Sequence, residues 1–164
     1  MSEEVRIRAA VPADAAGLLT LVKRLQQETD LITVDEQLDR LTLDKEAAIL
    51  ERLNTSGTNL VAVASLDTTL VGLVTIMEQT PAVGELGIAV LNDYQGMGLG
   101  SALLDLAVDW FTKLSRLQRL LLTVKESNQR ALRLYQHAGF QIIARHHDIL
   151  TMTYKNDQSE SASQ

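Results

Sequence analysis

The chain has 164 residues, 46% hydrophobic and 22% charged, a length and balance that suit one globular domain (residues 1–155) with a substantial core. Its formal charge of −6 argues against nucleic acid or an anionic membrane as partner, and the absence of cysteine excludes disulfides, thiolate metal sites and a cysteine nucleophile. Three histidines, two of them adjacent, are a poor basis for zinc, so no metal is expected; with no apolar run near the ~18–20 residues of a membrane span and no signal-peptide core, the cytoplasm is the expected compartment.

Val5 to Ala9 alternates apolar and charged residues, the pattern of a half-buried first strand. Pro12 suits the first turn of a helix whose apolar face continues through Leu18, Val22 and Leu25. Asp30 to Asp44 mixes leucines with acids and reads as a short helix or a mobile loop. A clearer helix follows from about Asp44 to Leu53, closed by Asn54-Thr55-Ser56-Gly57. Asn59–Leu66 and Leu70–Glu78 are β-rich runs joined by Asp67-Thr68-Thr69, a hairpin.

Thr80-Pro81-Ala82 turns the chain into the stretch that organises the rest. Residues 83–104 hold five of the nine glycines. They read as an apolar strand (Glu85–Leu91), a polar turn (Asn92–Tyr94), then a glycine-rich lead into a helix from about Gly98 to Leu114. Leu103, Leu104, Ala107, Val108 and Phe111 form the inner face of that helix. Gly96, Gly98 and Gly100 are poor helix formers. Without a Cβ they let a ligand approach the backbone, and the unpaired N–H groups of a first turn, with the macrodipole, make a phosphate socket. The amides of Met97, Gly98, Leu99, Gly100 and Ser101 would face the anion. A Walker A loop fails because no lysine follows Gly100, and the dinucleotide fingerprint fails because Ser101 stands where its last glycine belongs. What remains is Gln95-x-x-Gly98-x-Gly100.

Leu117–Lys125 is a strand, its run Leu120–Val124 almost wholly apolar and so suited to being covered on both faces. Ser127–Ala138 is a helix stopped by Gly139, Phe140–Ala144 and Ile149–Tyr154 are a closing strand pair, and residues 156–164 read as a disordered tail. On the helix, Asn128, Ala131 and Tyr135 share one face at i, i+3 and i+7, with Ala131 keeping the centre of that face shallow. Taken singly, Asn128 could be a helix cap and Tyr135 a core-edge aromatic.

Gln95-x-x-Gly98-x-Gly100 after a strand ending Ile88-Ala89-Val90 resembles the acyl-CoA pyrophosphate loop of the GNAT superfamily of N-acyltransferases. Val124-x-x-x-Asn128-x-x-Ala131-x-x-x-Tyr135-x-x-x-Gly139-Phe140 resembles its second signature. The resemblance covers residues 4–155. It implies an α/β fold with a mixed, mainly antiparallel sheet, twisted, splayed at its centre and flanked by helices. It also implies roles. Acetyl-CoA would be co-substrate, its pyrophosphate on the amides after Gln95 and Gly96. Its pantetheine arm would pair with Ile88 and Val90 alongside Ala89, and the Ile88 N–H would face the acetyl carbonyl. Asn128 would hydrogen-bond the cofactor across Ala131, Tyr135 would protonate the leaving thiolate, and Arg130 or Arg133 would meet the 3′-phosphate. Met97 stands where the family often has a basic residue, so phosphate binding would lean on the backbone. Glu85 is the candidate general base, with Glu78 second. His137, two residues after Tyr135, should point away from the site.

The function expected is transfer of an acetyl group to a primary amine by direct attack in a ternary complex, since no cysteine can carry an acyl-enzyme. Seven acids in and around the segment expected to cover the substrate (Glu28, Asp30, Asp35, Glu36, Asp39, Asp44, Glu46) favour a small cationic acceptor, if they do more than solvate helix faces. Alternatives are a protein N-terminus or lysine as acceptor, and an acyl-CoA sensor without turnover. The closing strands could pair across a homodimer.

Overall fold

The structure, a computed structural model, describes residues 4–28 and 43–156. The expectations for residues 30–42 and for the tail from 157 onward lie outside them. In chain order the elements are β1 (Val5–Ala9), α1 (Ala15–Glu28), α2 (Leu43–Thr55), β2 (Leu60–Leu66), β3 (Thr69–Thr80), β4 (Val83–Val90), α3 (Leu99–Lys113), β5 (Arg119–Lys125), α4 (Gln129–Ala138), β6 (Gln141–His146) and β7 (Ile149–Lys155). The strands form one sheet in the order β1-β2-β3-β4-β5-β7-β6. Every neighbouring pair is antiparallel except β4 and β5, which run parallel.

Residues Leu60 to Ser65 of β2 are buried at every position, which a strand achieves only when both its faces are covered. α2 and α3 both pack against β2, α1 and α3 against β3, and α4 against α3 and β5. The inner face of α3 is the one its sequence predicts: Leu103, Leu104, Ala107 and Phe111 are buried. α1 differs slightly. A turn of 3₁₀ helix, Pro12–Asp14, precedes it, and Leu21 rather than Val22 enters the core beside Leu18 and Leu25. Leu21 lies three residues from Leu18 and four from Leu25, the offsets that stack on one stripe, whereas Val22 drifts to its flank. α2 runs to Thr55, past the expected stop, because Asn54 is used as a clamp. Its amide donates to the Ala10 carbonyl (2.7 Å) and its Oδ1 accepts from the Val61 N–H (2.9 Å).

β5 departs from expectation. Leu120, Leu122 and Val124 are buried, but Leu121 is only half-buried and Thr123 is exposed. One face of β5 is core; along the other, the apolar run meets solvent at Thr123. β6 forms the sheet's outer edge and all six of its residues are exposed, Ile142 and Ile143 among them.

The centre of the sheet sets up the site. β4 is eight residues long, yet it pairs with β5 only at Val83, Gly84 and Glu85. Beyond Glu85 the two strands part. The Leu91 N–H donates to the Val71 carbonyl of β3 (2.9 Å), so with the two-residue period Ala89, Gly87 and Glu85 also turn their backbone groups toward β3. Leu86, Ile88 and Val90 therefore point theirs into the fork.

Candidate active site

The fork opens into a cavity of about 530 Å³, the scale of a cofactor pocket. One wall is the end of β4, from Ile88 through Ala89 to Val90. The floor is the segment after it, where Tyr94, Gln95, Gly96 and Gly98 lead into the first turn of α3. Leu99, Gly100 and Ser101 line it there, with amide groups that have no partner within the helix; the first i−4 bond is from Ala102 to the Gly98 carbonyl (3.1 Å).

Gly96 and Gly98 have φ of +84° and +80°, in the left-handed region that favours glycine, whereas Gly100 is helical. A Cβ built on Gly98, the cap residue of α3, would find no protein atom within 4 Å. The missing side chain leaves open space at the cavity floor, above a fan of free amides. That is the arrangement an anionic group needs. Arg130 reaches over from α4, its guanidinium 3.5 Å from where a Cβ on Gly96 would stand.

The opposite wall is α4. Asn128, Ala131, Leu134 and Tyr135 line the cavity from one flank, and Arg130, Arg133 and His137 from the other. His137 is thus in the lining despite its offset from Tyr135, because the cavity reaches both flanks of the helix. Asn128 is first of all the cap of α4: its Oδ1 accepts the Ala131 N–H (3.2 Å), leaving its amide group to donate elsewhere. Tyr135 is the buried member. It is 8% exposed and packed 6.0 Å from the Phe140 ring, which stacks on Tyr154, which in turn meets Phe111 edge-on. Burial pushes its phenol above the ordinary value, so the hydroxyl keeps its proton and can serve as a donor.

Three predicted residues stand apart from the lining. Met97 is 51% exposed and does not line the cavity. Glu85 is exposed too, three residues before Ile88 and hence on the opposite face of β4, about 10 Å along the strand. It is, however, the last residue of β4 paired to β5, at the crotch of the fork. Glu78 is exposed, and its N–H donates to Asn59 Oδ1 (2.8 Å). Gln95 is already engaged: its Nε2 donates to the Val90 carbonyl (3.1 Å) and to Asn92 Oδ1 (3.2 Å), bracing the turn between strand and glycine loop. Tyr94 and Leu134 were not anticipated; nothing in their spacing marks them. Among the described residues there is no cluster of three or more metal-ligating side chains, and no helix is long and apolar enough to cross a membrane.

Residues 22–140 match the sequence profile of the acetyltransferase (GNAT) family. A Bacillus subtilis spermine/spermidine N(1)-acetyltransferase is 42% identical over 48 residues, a match that spans 29% of this chain and only 32% of that protein's length. Across nearly the whole chain, the fold superposes on a GNAT-family acetyltransferase from Streptococcus pneumoniae with a TM-score of 0.81 and 32% identity, covering 93% of this chain and 99% of the other. A Salmonella typhimurium protein, yncA, solved with its cofactor acetyl-CoA, shares the fold at a TM-score of 0.77 and 21% identity, over 94% and 95% of the two chains. With its forked sheet, its left-handed glycine before α3 and a family match over more than half its length, the chain belongs to the GNAT family of acetyltransferases.

Proposed function

We propose that this acetyltransferase, with acetyl-CoA as acyl donor, transfers the acetyl group to a small cationic primary amine by direct attack in a ternary complex. The observation that carries the reading is the fork itself. It offers the backbone of Ile88 and the Val90 N–H, which no neighbouring strand pairs, as an edge for an extended amide-bearing arm, and it leads straight to the free amides of Leu99 to Ser101, which suit a pyrophosphate.

In this reading Gly96, Gly98 and the first turn of α3 hold the pyrophosphate, and Arg130 adds a positive charge over the loop. The Asn128 amide and the shallow Ala131 accommodate the pantetheine; Arg133, also in the lining, is the cation for the nucleotide's 3′-phosphate. The Ile88 N–H faces the acetyl carbonyl oxygen, and one such donor aimed at developing negative charge contributes a few kcal/mol. As the amine nitrogen bonds to the carbonyl carbon and the C–S bond breaks, the Tyr135 hydroxyl gives its proton to the thiolate sulfur. Glu85, too far for direct contact, takes the amine's proton through water at the crotch of the fork. Glu85→Gln should then lower kcat/KM most near neutral pH and recover partly at alkaline pH, where free amine is abundant; a uniform loss would remove Glu85 from the chemistry.

The cationic acceptor is supported by the acids Asp30, Asp35, Glu36, Asp39 and Asp44 of the sequence, Glu46 being buried and Glu28 engaged, and by the partial similarity to a spermine/spermidine acetyltransferase. Thiol release from acetyl-CoA across amines, amino acids and peptides, at low and high salt, tests it. A cationic preference that weakens with salt supports the assignment. Preference for an acidic or neutral acceptor, indifferent to salt, refutes it, and no thiol release with any amine would leave a binder without turnover.

A further inference from the structure

Glu28 is the last residue of α1, where a negative charge is disfavoured by the helix dipole, and the last turn holds no basic residue to offset it. The structure shows what the carboxylate does there. The turn after β4, Asn92–Tyr94, has Leu91 as its cap residue, and leucine offers no side-chain acceptor. Both Glu28 oxygens instead lie within bonding distance of the Asn92 N–H, at 3.1 and 3.2 Å, across 64 residues of sequence. Asn92 Oδ1 then accepts from Gln95, whose amide also donates to the Val90 carbonyl. A continuous series of hydrogen bonds runs from the end of α1 to the backbone at the fork.

We propose that Glu28 is a positioning residue for acetyl-CoA. By holding Asn92 it sets the turn that joins the edge offered by Ile88 and Val90 to the glycine loop, and so fixes the spacing between the two surfaces the cofactor must meet at once. The hydrogen bond does this, rather than the charge. The inference rests on the acetyl-CoA reading of the cavity, and a cation-attracting role for Glu28 would be a different one.

The test compares Glu28→Ala and Glu28→Gln with the unaltered 164-residue chain. Calorimetric Kd for acetyl-CoA, melting temperature without ligand, kcat, and KM for each substrate are measured. Glu28→Ala should weaken acetyl-CoA binding about tenfold, the scale of one lost charge-assisted hydrogen bond, and raise its KM to match. Saturating kcat should stay within about twofold, and because the bond is present without ligand the unliganded melting temperature should fall by about 2–4 °C, the cost of about 1 kcal/mol. Glu28→Gln keeps an acceptor oxygen and should restore most of the affinity. An unchanged Kd in Glu28→Ala overturns the proposal, whether or not the melting temperature falls. So does a Gln variant as impaired as Ala, above all if the loss falls on KM for the amine and fades with salt, which is the electrostatic role. Unaltered protein that fails to bind acetyl-CoA overturns the reading of the cavity and this proposal with it.

Discussion

Gly98→Ala separates the conformational role of this glycine from its role toward the ligand. Gly98 has φ +80° and caps α3, and an added methyl would meet no protein atom within 4 Å. The substitution therefore carries no packing penalty; its cost to the fold is the left-handed backbone alone, roughly 1–2 kcal/mol. At about 2–4 °C per kcal/mol for a chain of this size, the unliganded protein should melt roughly 2–8 °C lower and still fold. In the unaltered protein, acetyl-CoA at 100 times its Kd adds ~2.7 kcal/mol by mass action, a rise of roughly 5–10 °C. In the variant the methyl occupies the floor of the cavity, where the pyrophosphate would rest, and the rise should shrink to under about 2 °C at the same acetyl-CoA concentration. Thermal melts of both proteins, with and without acetyl-CoA, read the two effects separately. A variant that keeps the full ligand-induced rise would refute the placement of the anion. Alanine is the sharper probe than valine, whose branched side chain strains a positive φ further.

Tyr135→Phe should lower kcat at the low end of the ~10²–10⁴ range of acid catalysis while leaving Kd for acetyl-CoA alone; unaltered kcat removes the role. Because burial raises the phenol's pKa, any loss of kcat from its ionisation should begin above the usual 10.0 and vanish in the phenylalanine variant. Glu46, on α2, is 9% exposed, and its Oε2 has no hydrogen-bond partner among the described residues. Burial raises its pKa, so the ionised form is penalised in the fold: the penalty is absent below about pH 4.5 and grows as pH rises through the folded value. Glu46→Met should raise the melting temperature at pH 7 by about 2–4 °C, the return of about 1 kcal/mol from removing an unpaired acceptor, with less gain near pH 4; a fall at pH 7 would mean the carboxylate is satisfied after all. Gly84→Ala would push a methyl to 2.7 Å from Leu117 and 2.8 Å from Ile76 in the core. It should cost about 1–3 kcal/mol of stability with the acetyl-CoA shift intact, and a lost shift would show that the fork cannot tolerate strain below it.

The order of elements was legible from periodicity and glycine placement, and the forked sheet with its cavity from the family resemblance that the two motifs carry. A β-run, a polar turn and Gly96-x-Gly98 read as a strand leading into a helix with a glycine-rich first turn, and the structure has that. What escaped the sequence depends on contacts between distant residues. Glu28 and Glu46 look alike in an acidic stretch, yet one holds a backbone amide 64 positions away and the other lies buried. Asn128, expected to bind the cofactor, is a helix cap that uses only the Oδ1 end of its amide, which leaves the other end for the role proposed. Glu85 sits on the central strand, but only the pairing of β4 with β5 reveals that it marks the last joined position.

That seam has a mechanical meaning. The sheet consists of two antiparallel ribbons, β1 to β4 and β5-β7-β6, joined through Val83, Gly84 and Glu85 alone. Opening there breaks the fewest ladder bonds of any line through the sheet's interior, so the seam is where local opening is cheapest. A ligand lying along Ile88 and Val90 would lengthen the junction, and the two ribbons would then move as one body. Amide hydrogen exchange along the far half of β4 and the facing half of β5 should accordingly be the fastest within the sheet's interior, and should slow when acetyl-CoA is bound.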